Sequence, residues 1–126
     1  MNKFKKNSIM ITGASGFIGG SLMKSYRDEA QSVIGVDLKS NADDILEADL
    51  SNPEKLKEPM KHCDVIIHTA AMVSNAMSDE EMWKTNVLNT SKLIKLAIEY
   101  GIKRFVHISS IVVYGNSATG EINEDT

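Results

Sequence analysis

A single cysteine, Cys63, stands among 126 residues, so no intrachain disulfide can form. A reducing compartment, the cytoplasm, is the expected setting. Long apolar runs are absent as well. No stretch approaches the ~18 residues of a membrane span, and the short apolar run behind the N-terminal lysines does not make a signal peptide. A large excess of either charge is also absent: 14 basic against 17 acidic residues leave a net charge of −3. That balance gives no electrostatic case for nucleic acid or an acidic membrane. The basic start, Lys3, Lys5 and Lys6, is too short for a nucleic-acid arm and reads as a solvated terminus. No internal repeat, low-complexity tract or linker divides the chain. The histidines His62, His68 and His107 fall on different expected elements, so no metal site is expected. Cys63, at the start of a strand, reads as a buried, inert thiol.

What is present is enough for one domain with its own core: 42% of the residues are hydrophobic. The periodicity predicts a strand over 8–12 and a helix over 17–29, with Ile18, Leu22, Met23 and Tyr26 on its buried face. Further strands are expected over 32–37, 45–49, 64–68 and 104–108. Ser51-Asn52-Pro53-Glu54 opens a helix running to 62, with a polar cap, a proline in the first turn and an acid on the dipole. Ser78, with Glu81 in capping-box position, opens the longest helix, which Gly101 ends. Trp83, Val87, Thr90, Ile94 and Ala97 are its expected buried stripe. From Gly115 on, the chain is polar and aperiodic. The alternation of strands and helices predicts a three-layer α/β fold, a parallel sheet of order 3-2-1-4-5 with helices on both faces.

The densest signal is Thr12-Gly13-Ala14-Ser15-Gly16-Phe17-Ile18-Gly19, where an apolar strand turns into a helix. Gly13 permits the tight turn, Gly16 lets backbone approach a pyrophosphate, and Gly19 lets the helix pack close to the sheet. The helix N-terminus offers unpaired N–H groups and partial positive charge to phosphates, and Ser15 can add a hydroxyl. Asp37, 18 residues past Gly19 at the end of the second strand, can accept both hydroxyls of an adenosine ribose and repel a 2′-phosphate. Lys39 could reach such a phosphate, but no arginine accompanies it. NAD is therefore the favoured cofactor, with NADP as the alternative. Taken alone, His68 reads as a satisfied core histidine rather than a catalyst.

The two-residue gaps of Thr-Gly-x-x-Gly-x-x-Gly resemble the extended short-chain dehydrogenase/reductase superfamily. That superfamily includes NAD-dependent epimerases and dehydratases and 3β-hydroxysteroid dehydrogenase-like enzymes. The resemblance extends through Asp49-Leu50, which it places at the adenine. It continues through His68-Thr69-Ala70-Ala71, whose small residues let ribose and phosphates lie against the backbone. Asn86-Val87-x-x-Thr90 resembles a helical motif whose asparagine orders the site. Phe105-Val106-His107-Ile108-Ser109-Ser110 with Val113-Tyr114-Gly115 is similar to the strand-five block, in which Ser110 corresponds to the catalytic serine. The resemblance thus implies a Rossmann fold whose cofactor-binding residues are Gly13, Ala14, Ser15, Gly16, Phe17, Ile18, Gly19, Asp37, Leu38, Asp49, Leu50, Thr69, Ala70, Ala71, Asn86 and Ser109. Two departures stand out: Asn89 where the family has glycine, and Ala30-Gln31 where a glycine commonly ends the first helix.

Hydride transfer also needs a proton acceptor, which in this superfamily is the tyrosine of a Tyr-x-x-x-Lys unit on the next helix. None of Tyr26, Tyr100 and Tyr114 has lysine four residues on; Tyr100 has Arg104, which cannot be deprotonated. Residues 1–126 are therefore expected to be a single NAD(P)-binding Rossmann domain, truncated before that unit and before the C-terminal substrate lobe. The expected function is the cofactor-binding portion of an NAD-dependent epimerase/dehydratase-type oxidoreductase, inactive alone, whose full-length family acts on a small-molecule substrate such as a sugar nucleotide or hydroxysteroid. The alternatives are a non-catalytic dinucleotide sensor and a nucleotide-free Rossmann-like interaction domain. A homodimer is disfavoured for this chain rather than excluded, because family dimers use the long helix, which is here, together with the helix carrying tyrosine and lysine.

Overall fold

Five apolar stretches form one parallel sheet of order β3-β2-β1-β4-β5, as the alternation of elements predicts. The structure is a computed structural model, and it describes residues 7–29, 32–71, 76–115 and 119–126. The basic start at Lys3, Lys5 and Lys6 and the Ala30-Gln31 pair lie outside the described residues. Strand β1 (Ser8–Thr12) occupies the centre. It pairs with β2 (Ser32–Asp37) on one edge and β4 (Val65–His68) on the other, placing Thr12 opposite both Val36 and His68. Strands β3 (Ile45–Glu47) and β5 (Arg104–His107) lie outside them.

Both faces of the central strands are covered, which is why they read as nearly continuous apolar runs. Met10, Val36 and Ile66 point to one face and pack with Leu56, Met60, Leu93, Leu96 and Ala97. Ile9, Ile11 and Ile67 point to the other and pack with Met23, Ala14 and Ile45. Helix α1 (Phe17–Asp28) covers that second face. Of its expected buried stripe, Met23 is buried and Leu22 and Tyr26 pack against the core, but Ile18 is half exposed. It sits in the first turn, just beyond the carboxyl end of the central strand β1, where it lines a cleft. Gly35 meets α1 from below: a Cβ there would lie 2.5 Å from Ala14 Cβ and 2.8 Å from Ile45 Cγ1. A strand glycine here is the condition for close helix packing.

Several expected boundaries move. Strand β3 ends at Glu47 rather than 49, because Asp49 turns the chain by accepting the Ser51 N–H at 2.8 Å. Asp64 stays outside β4; its carboxylate accepts from Ser8 N–H and from Lys103 Nζ, tying the starts of three strands. β5 ends at His107, one residue short. The helix expected over 53–62 is a 3₁₀ turn, Pro53–Leu56, passing into a single α turn, α2 (Lys57–Met60). Pro59 lacks the N–H that would extend it, and Asn52 makes no side-chain cap.

The long helix is three pieces: α3 (Asp79–Trp83), a π-helical turn (Lys84–Leu88) and α4 (Asn89–Glu99). Its start is as expected. Ser78 Oγ accepts the Glu81 N–H at 3.2 Å, and the Glu81 carboxylate accepts the Ser78 N–H at 2.8 Å. Ser78 is exposed, so Ser78→Ala should cost only the cap, about 1 kcal/mol, read as a lower urea midpoint with an unchanged slope. Gly101, at φ +67°, follows the C-terminus. Of the expected stripe, Ala97 is buried and Thr90 half-buried, but Trp83, Val87 and Ile94 are exposed. Trp83 is 58% exposed and Ile94 38%, while Leu93, Leu96 and Ala97 are buried. The helix carries two apolar stripes, and the sheet takes the second.

No helix among the described residues is long and apolar enough to cross a membrane. Among those residues, no three His, Cys, Asp or Glu side chains gather into a metal site. Cys63 is half-buried; its thiol donates to the Val65 carbonyl at 3.1 Å, and burial raises its pKa.

Candidate functional site

After β1 the chain lays down β2 and β3 on one side of it and then crosses to place β4 and β5 on the other, so the strand order reverses beside β1. Such a switch point opens a crevice at the carboxyl ends of the strands. A cleft of about 590 Å³ lies there, in the size range of small-molecule sites. The loop after β1 forms its floor. Gly13 adopts φ +70°, and a Cβ on it would sit 2.8 Å from Thr69 Oγ1 and 2.9 Å from Ala70 N. At Gly19 the approach is closer still: a Cβ would fall 2.1 Å from the Gly13 carbonyl oxygen. Gly16 precedes α1 in extended conformation and offers no side-chain cap. The first-turn amides therefore keep donors for a ligand.

The wall at β2 carries Asp37. Its Oδ2 accepts Ser15 N–H at 2.9 Å and its Oδ1 accepts Leu38 N–H at 2.7 Å. Each oxygen retains acceptor capacity, so the carboxylate is oriented without being used up. Ser15 Oγ donates to the Lys39 carbonyl at 2.9 Å and is thereby held at the rim. Past β3, Asp49 accepts from Ser51; that amide first, then the Ser51 side chain, holds its carboxyl below the usual range, with Lys92 adding a smaller pull.

The residues expected to bind a cofactor divide into two groups. Gly13, Gly16, Phe17, Ile18, Gly19, Asp37, Leu38, Asp49, Leu50, Thr69, Ala70 and Ala71 all line the cleft. Phe17 does so while 93% exposed. Ala14, Ser15, Asn86 and Ser109 do not line it. Ala14 is buried against Gly35, and its N–H bonds the Val36 carbonyl at 3.2 Å. Ser109 and Ser110 follow β5 and are exposed; Ser110 Oγ accepts the Val112 N–H at 3.2 Å. Four lining residues escape sequence reasoning: Val36, Ala48, Thr85 and Asn89. Thr85 and Asn89 come from the long helix at i, i+4 spacing. Only the position of that helix across the crevice reveals them.

Under the cleft, His68 is buried to 1% exposure. Its Nδ1 lies 2.6 Å from Thr12 Oγ1 and its Nε2 2.9 Å from Thr90 Oγ1. Its ring stacks on His107 at 5.6 Å. Burial, then the neighbouring His107, pushes its pKa down to about 4. It is a satisfied core histidine, as expected.

With this geometry in place, similarity to known proteins is informative. Residues 9–126 match the NAD dependent epimerase/dehydratase family. The UDP-glucose 4-epimerase of Vibrio cholerae is 34% identical over 119 residues, covering 86% of this chain and 36% of that enzyme. The 3 beta-hydroxysteroid dehydrogenase/Delta 5→4-isomerase of Vaccinia virus is 26% identical over 124 residues, covering 88% of this chain and 36% of that protein. Among solved structures, MoeE5 in complex with UDP-glucuronic acid and NAD superposes with a TM-score of 0.85 at 30% identity, over 94% of this chain and 42% of that one. A short-chain dehydrogenase/reductase superfamily protein from Agrobacterium tumefaciens with bound NAD gives 0.79 at 28% identity, over 86% of this chain and 34% of that one. The chain thus spans about a third of the length of these curated relatives. From the two-residue glycine spacing, the 3-2-1-4-5 sheet and the match over residues 9–126, the chain belongs to the NAD dependent epimerase/dehydratase family, within the extended short-chain dehydrogenase/reductase superfamily.

Proposed function

We propose that the cleft binds NAD and that the chain is the cofactor-binding portion of an epimerase/dehydratase-type oxidoreductase. One observation carries this: a glycine floor that any Cβ would obstruct, and an oriented carboxylate at the end of β2, face the same cleft. The residues present fit the cofactor. The uncapped start of α1 and the bare backbone at Gly16 suit a pyrophosphate, with the Ala14-Ser15 backbone beside it. Asp37, with Leu38 beside it, accepts the adenosine ribose hydroxyls, and its charge disfavours a 2′-phosphate. Asp49 accepts from an adenine amino group, and Leu50 supplies apolar contact. Thr69, Ala70 and Ala71 keep the far wall low, and Asn86 orders it from the helix.

NAD, when bound, accepts and returns a hydride at a substrate alcohol or ketone carbon. The chain's own contribution to that step is polar positioning. Ser110 already accepts one N–H, so its hydroxyl proton is left to donate to a substrate oxygen, with Ser109 at the cofactor side. A sugar nucleotide or hydroxysteroid-like molecule is the proposed substrate class, supported by the relatives' names. The proton acceptor is proposed to be a Tyr-x-x-x-Lys unit, which this sequence does not contain.

The test is titration calorimetry with NAD and NADP on the intact chain and on Asp37→Ala. The intact chain should prefer NAD. Loss of charge-assisted bonds worth about 1.5–3 kcal/mol should weaken NAD roughly 10- to 100-fold and narrow the gap to NADP. No affinity in either form, or equal affinity in both, overturns the assignment.

A further inference from the structure

The hydrogen-bond chain through His68 has a direction that can be worked out atom by atom. Thr90 Oγ1 lies 2.9 Å from the Asn86 carbonyl oxygen, which can only accept. The single hydroxyl proton of Thr90 is therefore committed to Asn86, and Thr90 Oγ1 must accept from His68 Nε2–H at 2.9 Å. Burial keeps the ring neutral near pH 7, so Nδ1 carries no proton and accepts from Thr12 Oγ1–H at 2.6 Å. With its proton committed, Thr12 Oγ1 accepts in turn from Ala70 N–H, at 3.4 Å. Every proton between Ala70 and Asn86 is thus used once and in one sense.

The two ends of this chain lie on two different segments that line the cleft, the loop after β4 and the long helix. Ala70 lines the wall at the end of β4, and Thr12 leads directly into Gly13, whose turn fits against Thr69 and Ala70. Asn86 lies inside the π-helical turn Lys84–Leu88, flanked by the cleft-lining Thr85 and Asn89. A π turn is a rare arrangement inside an α-helix and is frequent at functional sites. Among the described residues no buried side-chain nitrogen or oxygen lacks a partner, so breaking one link would leave a buried polar atom unsatisfied.

We infer that His68, as its neutral Nε2–H tautomer, is a positioning residue that locks the glycine-loop wall to the long-helix wall and thereby sets dinucleotide affinity. This rests on the proposed reading of the cleft as a NAD site. His68 touches no ligand in this scheme; it acts through Thr12 and Thr90. Because the links are in series, removing either hydroxyl releases the same constraint.

The experiment combines a double-mutant cycle with a spectroscopic one. NAD affinity is measured at pH 7 for the intact chain, Thr12→Val, Thr90→Val and the double variant, with Thr12→Ser as rescue. Each valine should weaken NAD about tenfold, the worth of one buried hydrogen bond. The double variant should be no weaker than either single one, and Thr12→Ser should bind within about twofold of the intact chain. Imidazole ¹⁵N spectra of the intact chain should show a protonated Nε2 and a bare Nδ1. Losses that add in the double variant, valine variants that bind as the intact chain does, or an Nδ1–H tautomer each overturn the inference while leaving the NAD site standing. Failure of the intact chain to bind NAD overturns both.

Discussion

Replacing Gly19 with alanine should collapse the nucleotide cleft and lower stability by about 3 kcal/mol or more, toward the upper end for overpacking. The added Cβ would lie 2.1 Å from the Gly13 carbonyl oxygen, 2.7 Å from its carbon and 3.0 Å from Ala14 Cα. All three are backbone atoms, which cannot rotate aside as a side chain would. The clash is relieved only if α1 withdraws from the loop, which separates Met23 from Gly35, or if the loop moves into the cleft. Either movement removes the proposed pyrophosphate seat, so NAD binding should fall by more than about 100-fold, on the order of the same free energy. The melting temperature should drop by roughly 10 °C or more. Gly20→Ala supplies the control one residue along the same helix. Its Cβ would meet nothing closer than the Ala14 carbonyl oxygen at 3.6 Å. There the gain in helix propensity, up to about 1 kcal/mol, should leave the chain neutral to slightly more stable. Calorimetric melting and NAD titration of the two variants give the answer. A Gly19→Ala protein that melts and binds as Gly20→Ala does would remove the close-approach account of this loop.

Acid should destabilise the fold well above the carboxylate range, through His68. Its pKa stands at about 4 in the folded chain against an ordinary value of 6.5, because burial, then His107, disfavours the charged ring. Above pH 6.5 both folded and unfolded rings are neutral, and the group contributes its full stability. As pH falls from 6.5 toward 4, the unfolded chain takes up a proton that the folded chain refuses. Stability then declines by about 3 kcal/mol in total, at ~1.36 kcal/mol per pH unit. The depressed carboxyls of Asp44, held by Arg27, and Asp49, held by Ser51, act lower: their contributions are lost only as pH falls below their ordinary value of 3.8. Between pH 6.5 and 5, urea unfolding should thus show the His68 slope, and His68→Gln should flatten it by close to one proton. Parallel slopes for the two proteins would show that His68 does not carry this dependence.

The corrections to the sequence reading share a cause. The expected stripe of Trp83, Val87, Thr90, Ile94 and Ala97 and the buried row of Leu93, Leu96 and Ala97 share Ala97, and nothing local distinguishes them. Both repeat at helical spacing. The sheet buries the second, and the π turn Lys84–Leu88 resets the phase between the two halves of the helix. Ile18 has the right spacing for burial, yet it sits in the first turn, beyond the carboxyl end of β1, and lines the cleft instead.

Local chemistry alone sufficed for β1 over Ser8–Thr12, β2 over Ser32–Asp37, the Ser78–Glu81 capping box, the sheet order and the glycine floor. Each rests on interactions within a few residues, or on handedness rules that hold for any right-twisted sheet. The tertiary structure alone decided that Thr85 and Asn89 line the same cleft as Asp37 and Asp49, that Gly35 must be glycine, and that Thr12, His68 and Thr90 form a single chain of bonds. Those partners lie 22 to 56 residues apart. Side-chain contacts over such separations exist only after β1, β4 and the long helix have packed, so no spacing in the sequence encodes them.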